Sequence, residues 1–348
     1  PRLGAMMRVA LAGFGSSGQT IHAPLLHEAG CDVVAVSTRD PERAAAARAE
    51  FPGTSVVDDL TALLAVPGVD LVVLATPSGA HAAQVRTVID AGIACLVDKP
   101  LAVDAVSAAD VVRHAEASAV PLTVFHNRRY DPEHATVARV VADGLIGTPF
   151  RYEMRWERWR PVPKDRWREN AGPADGGGIL LDLHSHLVDA AVQLFGPIAS
   201  VFATVAAHTT LAEDDAFLVC HHESGVVSHL GATALSGAPG PRVRMLGTTG
   251  AYVMADFTGE THVWTAQADA DPGQSGWVYR GDEREPVARG TSTQADLYRA
   301  VAAALESPEP QAAMPVDPWD AVHTLAVIDA ARESAAQERV VSVRTPAR

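Results

Sequence analysis

Cysteine is scarce in this chain: Cys31, Cys95 and Cys220 stand far apart among 348 residues. So sparse and odd a count supplies neither a disulfide framework nor a CxxC zinc or redox site, and a reducing compartment suits it. Long hydrophobic runs are missing too. No apolar stretch approaches the ~18 residues of a membrane span, and no basic-then-apolar leader precedes the first strand, so a cytoplasmic location is expected. Pro1 to Ala5, ahead of Met6 and Met7, are left out of the reading. Basic charge is in deficit, with 28 Lys and Arg against 42 Asp and Glu and a formal net charge of −14. A surface that neutralises phosphates needs the opposite balance, so neither nucleic acid nor an anionic membrane is an expected partner. Lysine itself is nearly absent, Lys99 and Lys164 being the only two. Apolar residues are plentiful. They make up 47% of the chain, with 20% charged, which excludes a disordered protein and is enough for two packed cores.

The first third alternates short β-branched runs with Ala-rich helical stretches. Strands are expected at Arg8 to Ala12, Asp32 to Ser37, Ser55 to Val57, Asp70 to Ala75, Ala94 to Val97 and Leu122 to Phe125. Helices are expected between them, as at Ala80 to Ala91 and Asp104 to Ala117. Mostly apolar strands joined by helices indicate a parallel sheet covered on both faces, the doubly wound α/β architecture. The pattern changes after Asn127. Phe150, Tyr152, Met154 and Trp156 alternate with Arg151, Glu153, Arg155 and Glu157, a period of two that marks a strand with one wet face. Similar strands follow at Ser200 to Ala207, Ala216 to His222, Val226 to Ala234, Arg242 to Leu246 and Ala251 to Phe257. The polar stretch Gln267 to Gly276 reads as a long loop, and helices are expected at Gln294 to Leu305 and Trp319 to Ala335. The expectation is a dinucleotide-type α/β domain over 7–127. An α+β domain with an open, mainly antiparallel sheet should follow over 128–345.

The first strand runs into Gly13-Phe14-Gly15-Ser16-Ser17-Gly18 and then a helical stretch. Such a loop turns tightly, lets backbone approach a pyrophosphate and aims helix N–H groups at it. GxGxxG alone is weak; between a strand and a helix, opening a βαβ unit, it points to dinucleotide binding. At the end of the second strand, where an NAD site usually places Asp or Glu, the chain reads Ser37-Thr38-Arg39-Asp40. Two hydroxyls and a guanidinium suit a 2′-phosphate, so NADP is favoured with NAD kept open. Alternatively Arg39 is merely solvated. Asp40 before Pro41 is in any case a good helix cap.

Lys99 follows Asp98 and precedes Pro100 at the carboxyl end of a buried strand, where doubly wound folds bind ligands. Lysine can donate a proton at an adjustable pKa, which Arg cannot; the plainer alternative is an ion pair with Asp98. After Gly176-Gly177-Gly178, which should allow close ligand approach, a helix should begin near Ile179 and carry Asp182 and His186 on one face. Asp beside His suits proton transfer near neutral pH. An ordinary intrahelical hydrogen bond, a satisfied core histidine and a pair of metal ligands remain open, and spacing alone favours the first.

These residues resemble the glucose–fructose oxidoreductase/inositol dehydrogenase/MocA family. The likeness rests on the glycine loop, Ala75-Thr76-Pro77, Asp98-Lys99-Pro100, three glycines before Asp182-x-x-x-His186, and Leu246-Gly247-Thr248-Thr249-Gly250. His22-Ala23-Pro24, Val124 to Arg129 and Asp165 to Glu169 are similar to a branch with NADP-dependent scyllo-inositol dehydrogenases. The resemblance implies a Rossmann domain followed by a substrate-binding and oligomerisation domain, with a homodimer or homotetramer formed through the second sheet. It implies that Lys99 contacts the reacting hydroxyl, that His186 is the acid/base and that Asp182 orients it and binds substrate. Asn127 would sit near nicotinamide or substrate; Thr76, Pro77 and His81 would join the cofactor contacts; Trp167 and Arg168 would close over cofactor or substrate. His184 stands where a small residue or Pro is usual. No metal is implied. The leading expectation is an NADP-dependent dehydrogenase of a polyol or sugar, an inositol among the candidates. A non-catalytic NADP-binding sensor and a metal-dependent enzyme using Asp182, His184 and His186 are the competing classes.

Overall fold

The computed structural model describes residues 6–255, 271 and 273–348, and every count here is of those residues. The chain divides into two compact units. One comprises Pro1–Asn127, Thr293–Val322 and Ala347–Arg348; the other comprises Arg128–Ser292 and His323–Pro346.

In the first unit six strands form one sheet: β1 (Arg8–Ala12), β2 (Asp32–Ser37), β3 (Ser55–Val57), β4 (Leu71–Leu74), β5 (Ala94–Val97) and β6 (Leu122–Val124). Their order is β3-β2-β1-β4-β5-β6 and every pairing is parallel. Strands β4, β5 and β6 are buried at every residue, which is why they read as continuous apolar runs without alternation. The helices between strands are α1 (Ala23–Glu28), α2 (Pro41–Glu50), α3 (Leu60–Leu64), α4 (His81–Asp90) and α5 (Ala105–Ala117). Strand order reverses between β1 and β4, so the loops leaving their carboxyl ends flank the crevice where such sheets bind ligands.

The segment 293–322 belongs to this unit, although sequence order groups it with the second domain. Long-range hydrogen bonds to the edge strand account for this. The Gln311 side chain accepts from Leu122 N at 2.8 Å and donates to Leu122 O at 3.2 Å, while the Thr123 hydroxyl donates to Val316 O at 2.9 Å. Strand β6 would otherwise leave its outer polar groups unpaired.

The second unit holds α6 (Pro132–Ala142), the short turn α7 (Trp167–Asn170), α8 (Ser185–Phe195) and a nine-stranded sheet. Its strands are β7 (Pro149–Glu157), β8 (Ile198–Ala206), β9 (Asp215–His222), β10 (Val227–Thr233), β11 (Val243–Gly247), β12 (Ala251–Met254), β13 (Gln274–Arg280), β14 (Glu283–Ala288) and β15 (Val341–Ser342). The order is β14-β13-β12-β11-β7-β10-β9-β8-β15, antiparallel throughout except for the parallel β7–β10 pair. Along β7 the expected alternation buries Tyr152, Met154 and Trp156, whereas Phe150 at the strand's start stays exposed. Three helices close the chain: α9 (Ala295–Leu305) and α10 (Pro310–Ala313) in the first unit, then α11 (Pro318–Gln337), which runs on into the second.

The expected loop over Gln267 to Gly276 is partly wrong: β13 begins at Gln274, and residues 267–270 and 272 lie outside those described. Its polar start misled the reading. The Tyr252 hydroxyl donates to Ser275 O at 2.5 Å, and Gly276 at φ +77° occupies a bulge in the β13–β14 ladder. The strand expected to reach Phe257 ends at Met254, and Phe257 lies outside the described residues. No helix among the described residues is long and apolar enough to cross a membrane.

Candidate active site

In the first unit the chain leaves β1 through the glycine loop and enters a π-helical turn over Gly18–His22. Gly13 takes φ +93°, and a Cβ there would come 2.8 Å from Ala75 O. A Cβ on Gly18 would run into the Gly13 carbonyl. These two glycines are demanded by the fold. Gly15 differs, because the nearest atom to a Cβ on it is the Arg43 guanidinium at 3.7 Å. Its missing side chain leaves a cradle that fits a pyrophosphate lying against bare backbone, with Ser16 exposed beside it. The Phe14 side chain is buried and edge-on to Phe51 at 6.4 Å, so only its backbone faces a ligand.

At the end of β2, Ser37 is buried, and Thr38 Oγ1 accepts from Asp40 N at 3.2 Å. Asp40 caps α2, accepting from Glu42 N at 2.9 Å and Arg43 N at 3.1 Å, and lies 3.6 Å from the Arg43 guanidinium. Arg39 is left exposed. The Asp40 carboxylate at this strand end is thus engaged by a helix terminus, while the Arg43 guanidinium stands beside the loop.

Lys99 follows β5 at 8% exposure, and its peptide bond to Pro100 is cis. Asp98 is organised around it: Oδ1 accepts from Lys99 N at 2.8 Å, Oδ2 accepts from the Ser17 hydroxyl at 2.7 Å, and His22 Nε2 lies 3.5 Å from Oδ2. Burial alone raises the pKa of this carboxyl. Interaction with His22, the Lys99 charge and the Ser17 hydroxyl outweigh burial and hold Asp98 well below the usual carboxylate range, so it is ionised. Asn127, 7% exposed, donates from Nδ2 to Gln294 Oε1 at 2.8 Å. The Thr76 hydroxyl donates to Gln84 Oε1 at 2.5 Å and Pro77 is exposed. His81 is 1% exposed, with Nδ1 2.6 Å from Pro100 O and Nε2 2.9 Å from Thr76 O, so its ring braces two turns from inside.

In the second unit a π-helical turn, Leu180–His184, leads into α8. The helix starts where the glycines predict, but the i→i+5 turn carries Asp182, so its face relative to His186 does not follow the α-helical rule. Gly178 is at φ +98°, and a Cβ there would fall on the Glu213 carboxylate, so this glycine makes room for Glu213. Glu213 Oε1 accepts from Leu180 N at 3.3 Å, and its backbone O accepts from Ile179 N at 2.9 Å. Asp182 lines a recess partly open to solvent, together with Arg158, Arg160, Lys164 and Glu213. His186, 8% exposed, stacks on Trp156 with ring centroids 5.5 Å apart. The guanidiniums of Arg128, Arg158 and Arg242 lie 4.8, 5.1 and 4.2 Å from that indole. His184 is fully buried, 3.2 Å from Leu230 O through Nε2, and burial pushes its pKa down to about 4, so it is a neutral core residue. The side chains of Trp167 and Arg168 lie outside the described residues. Among those described, no group of three or more His, Cys, Asp and Glu could hold a metal.

Sequence reasoning missed Arg43, Gln294, Tyr298 and Glu213. Nothing local marked Glu213, which is 33 residues from Leu180, or Gln294, which is 167 residues from Asn127.

Residues 7–126 match the description "Oxidoreductase family, NAD-binding Rossmann fold", and residues 134–253 match "GFO/IDH/MocA C-terminal domain". The scyllo-inositol 2-dehydrogenase (NADP(+)) IolW of Bacillus subtilis is 28% identical over 96% of this chain and 95% of its own. The uncharacterised oxidoreductase YdgJ of Escherichia coli is 33% identical over 71% of this chain and 70% of its own. Among solved structures, the oxidoreductase YvaA of Bacillus subtilis superposes with a TM-score of 0.85 at 26% identity, covering 97% of this chain and 99% of that one. With the glycine cradle, the parallel sheet and the nine-stranded sheet in place, the chain belongs to the Gfo/Idh/MocA family of NAD-binding oxidoreductases.

Proposed function

We propose that this protein transfers hydride between a nicotinamide dinucleotide, NADP in preference to NAD, and a secondary alcohol or ketone of a polyol or sugar, inositols included. The observation that carries the reading is the Lys99 turn. Of two lysines in the chain one is exposed, and the other is buried at a strand end beside an ionised aspartate bonded to the glycine loop. A buried ammonium beside a dinucleotide cradle suits stabilising negative charge on a reacting oxygen.

The bound dinucleotide supplies the hydride donor or acceptor. His186 takes the hydroxyl proton or returns it, Asp182 orients it and binds a substrate hydroxyl, and Lys99 bears on the reacting oxygen. Asn127, Trp167 and Arg168 are the remaining proposed contacts. The charged side chains at the recess beside Asp182, Arg158 and Lys164 among them, support hydrogen bonding to a hydroxyl-bearing substrate. Its relative's name, a scyllo-inositol 2-dehydrogenase, supports the inositol class. For the cofactor, Asp40 is engaged by the α2 terminus and by Arg43, and the exposed guanidinium of Arg39 supports a contact with a 2′-phosphate. Self-association through the second unit's sheet is part of the same reading, and sedimentation of the purified chain checks it.

The test is a screen of inositols, aldoses and their keto forms for absorbance change with NADP(H) and NAD(H). Turnover of at least one with NADP(H) is expected. No turnover of any, or a clear preference for NAD, overturns the corresponding part of the reading.

A further inference from the structure

The carboxyl end of β5 carries more buried polarity than a fold needs. His22 and Tyr298 are fully buried, Asp98 is 7% exposed and Lys99 8%. They form a chain of contacts. Tyr298 Oη lies 2.6 Å from His22 Nδ1, His22 Nε2 faces Asp98 Oδ2 at 3.5 Å, and Asp98 holds the Ser17 hydroxyl and the Lys99 backbone N–H on its two oxygens. The His22 ring is also tilted against Phe125 with centroids 4.3 Å apart, and Phe125 against Tyr298 at 5.7 Å, so its orientation is fixed by packing.

We propose that His22 and Tyr298 are positioning residues, a relay that acts through Asp98 to hold the glycine loop and the Lys99 turn in one geometry. This rests on the reading of Lys99 as a functional lysine. The hydrogen assignments follow from chemistry. An ionised carboxylate only accepts, so the nitrogen facing Asp98 carries a hydrogen; a tyrosine hydroxyl can donate or accept, so it completes Nδ1 in either protonation state of the ring. His22 closes the π-helical turn Gly18–His22, and its buried ring faces Asp98 just after β5. A buried carboxylate is rarely the most stable filling for such a space, since well-packed apolar groups do as well. What this one does is tie Ser17, in the cradle, to Lys99, at the reacting end.

The experiment uses the full chain. Tyr298→Phe removes one oxygen and keeps the ring; His22→Leu removes both nitrogens; His22→Gln returns an N–H that can reach Asp98. Dinucleotide Kd is measured by calorimetry at 25 °C beside the melting temperature, with kcat and KM on whichever substrate the screen finds. We expect Tyr298→Phe to weaken dinucleotide binding ~3- to 10-fold, the scale of one neutral hydrogen bond. His22→Leu should lose more, and His22→Gln should recover most of the loss. Because the relay acts through Ser17, Tyr298→Phe should add little to Ser17→Ala in the double variant. On substrate, kcat should fall more than KM rises. Folded variants with lowered melting temperature but the parent's Kd and kcat would show a structural contact only and overturn the relay. If neither His22 variant folds, Tyr298→Phe decides by the same criterion. A parent protein that binds neither NADP nor NAD overturns the dinucleotide reading, and the relay with it; parental binding in the variants overturns the relay alone.

Discussion

Three glycines of one loop should respond differently to the same methyl group. Gly13→Ala forces a side chain onto φ +93° and sets its Cβ 2.8 Å from the Ala75 carbonyl, which is backbone of the adjoining strand end and cannot swing away. A non-glycine residue at such a φ costs about 1–3 kcal/mol before the clash is counted. Gly18→Ala meets the Gly13 carbonyl oxygen with no φ penalty. Each should lower stability by about 2 kcal/mol or more, a fall in melting temperature of about 4–8 °C for a unit of this size. At Gly15 φ is not positive and only the mobile Arg43 guanidinium, 3.7 Å away, is near. Gly15→Ala should leave stability unchanged or raise it by about 0.4–1 kcal/mol, by reducing the freedom of the unfolded chain. It should nonetheless weaken dinucleotide binding ~10-fold or more, because the methyl group occupies the space a pyrophosphate needs. Scanning calorimetry and titration calorimetry with NADP and NAD, on all three variants, separate the effects. A Gly15→Ala protein that binds as the parent does, or melts several degrees lower, refutes the assignment of this glycine to the ligand.

Arg39→Ala should weaken NADP binding by about 1.5–3 kcal/mol, the range for hydrogen bonds to charged groups, and leave NAD nearly untouched; titration of both dinucleotides checks it. His186→Asn should cost ~10²-fold or more in turnover and remove the pH-dependent limb of the rate profile, with Asp182→Asn costing less in proton transfer and weakening substrate; intact turnover with lowered melting temperature in both would refute the catalytic pair. His184 sets a pH dependence of stability. Its pKa is about 4 when folded against the ordinary 6.5 of a free imidazole, so the unfolded chain binds the extra proton between those values, and the stabilisation present above pH 6.5 is lost as pH falls toward 4. Denaturant unfolding should show about 2 kcal/mol of this loss between pH 7 and 5, and His184→Phe should flatten that component; an unchanged slope would count against it.

Strands and helices of both units were legible where the pattern is local. The apolar runs of β4 and β5 declare burial on both faces, and the alternation along β7 declares one packed side, because side-chain periodicity follows from backbone geometry alone. The glycine loop and Lys99 were legible for a related reason: a strand followed by GxGxxG, and a lysine ending a buried strand in a chain with only two, are statements about neighbouring residues. What the polar groups bond to was not legible. Tyr298 reaches His22 across 276 positions, Gln311 pairs with Leu122 across 189, and Glu213 fills the space left by Gly178; no residue nearby in sequence signals any of these. The same holds for His81, turned inward as a brace, and for 293–322, assigned by sequence order to one domain and by hydrogen bonding to the other unit. Local sequence determines which elements form, because dihedral preference and periodicity act over a few residues. A buried polar group must be satisfied by whatever the completed fold brings near it, so Ser17 and His22 as partners of Asp98, and Gln294 as partner of Asn127, were decided by tertiary structure alone.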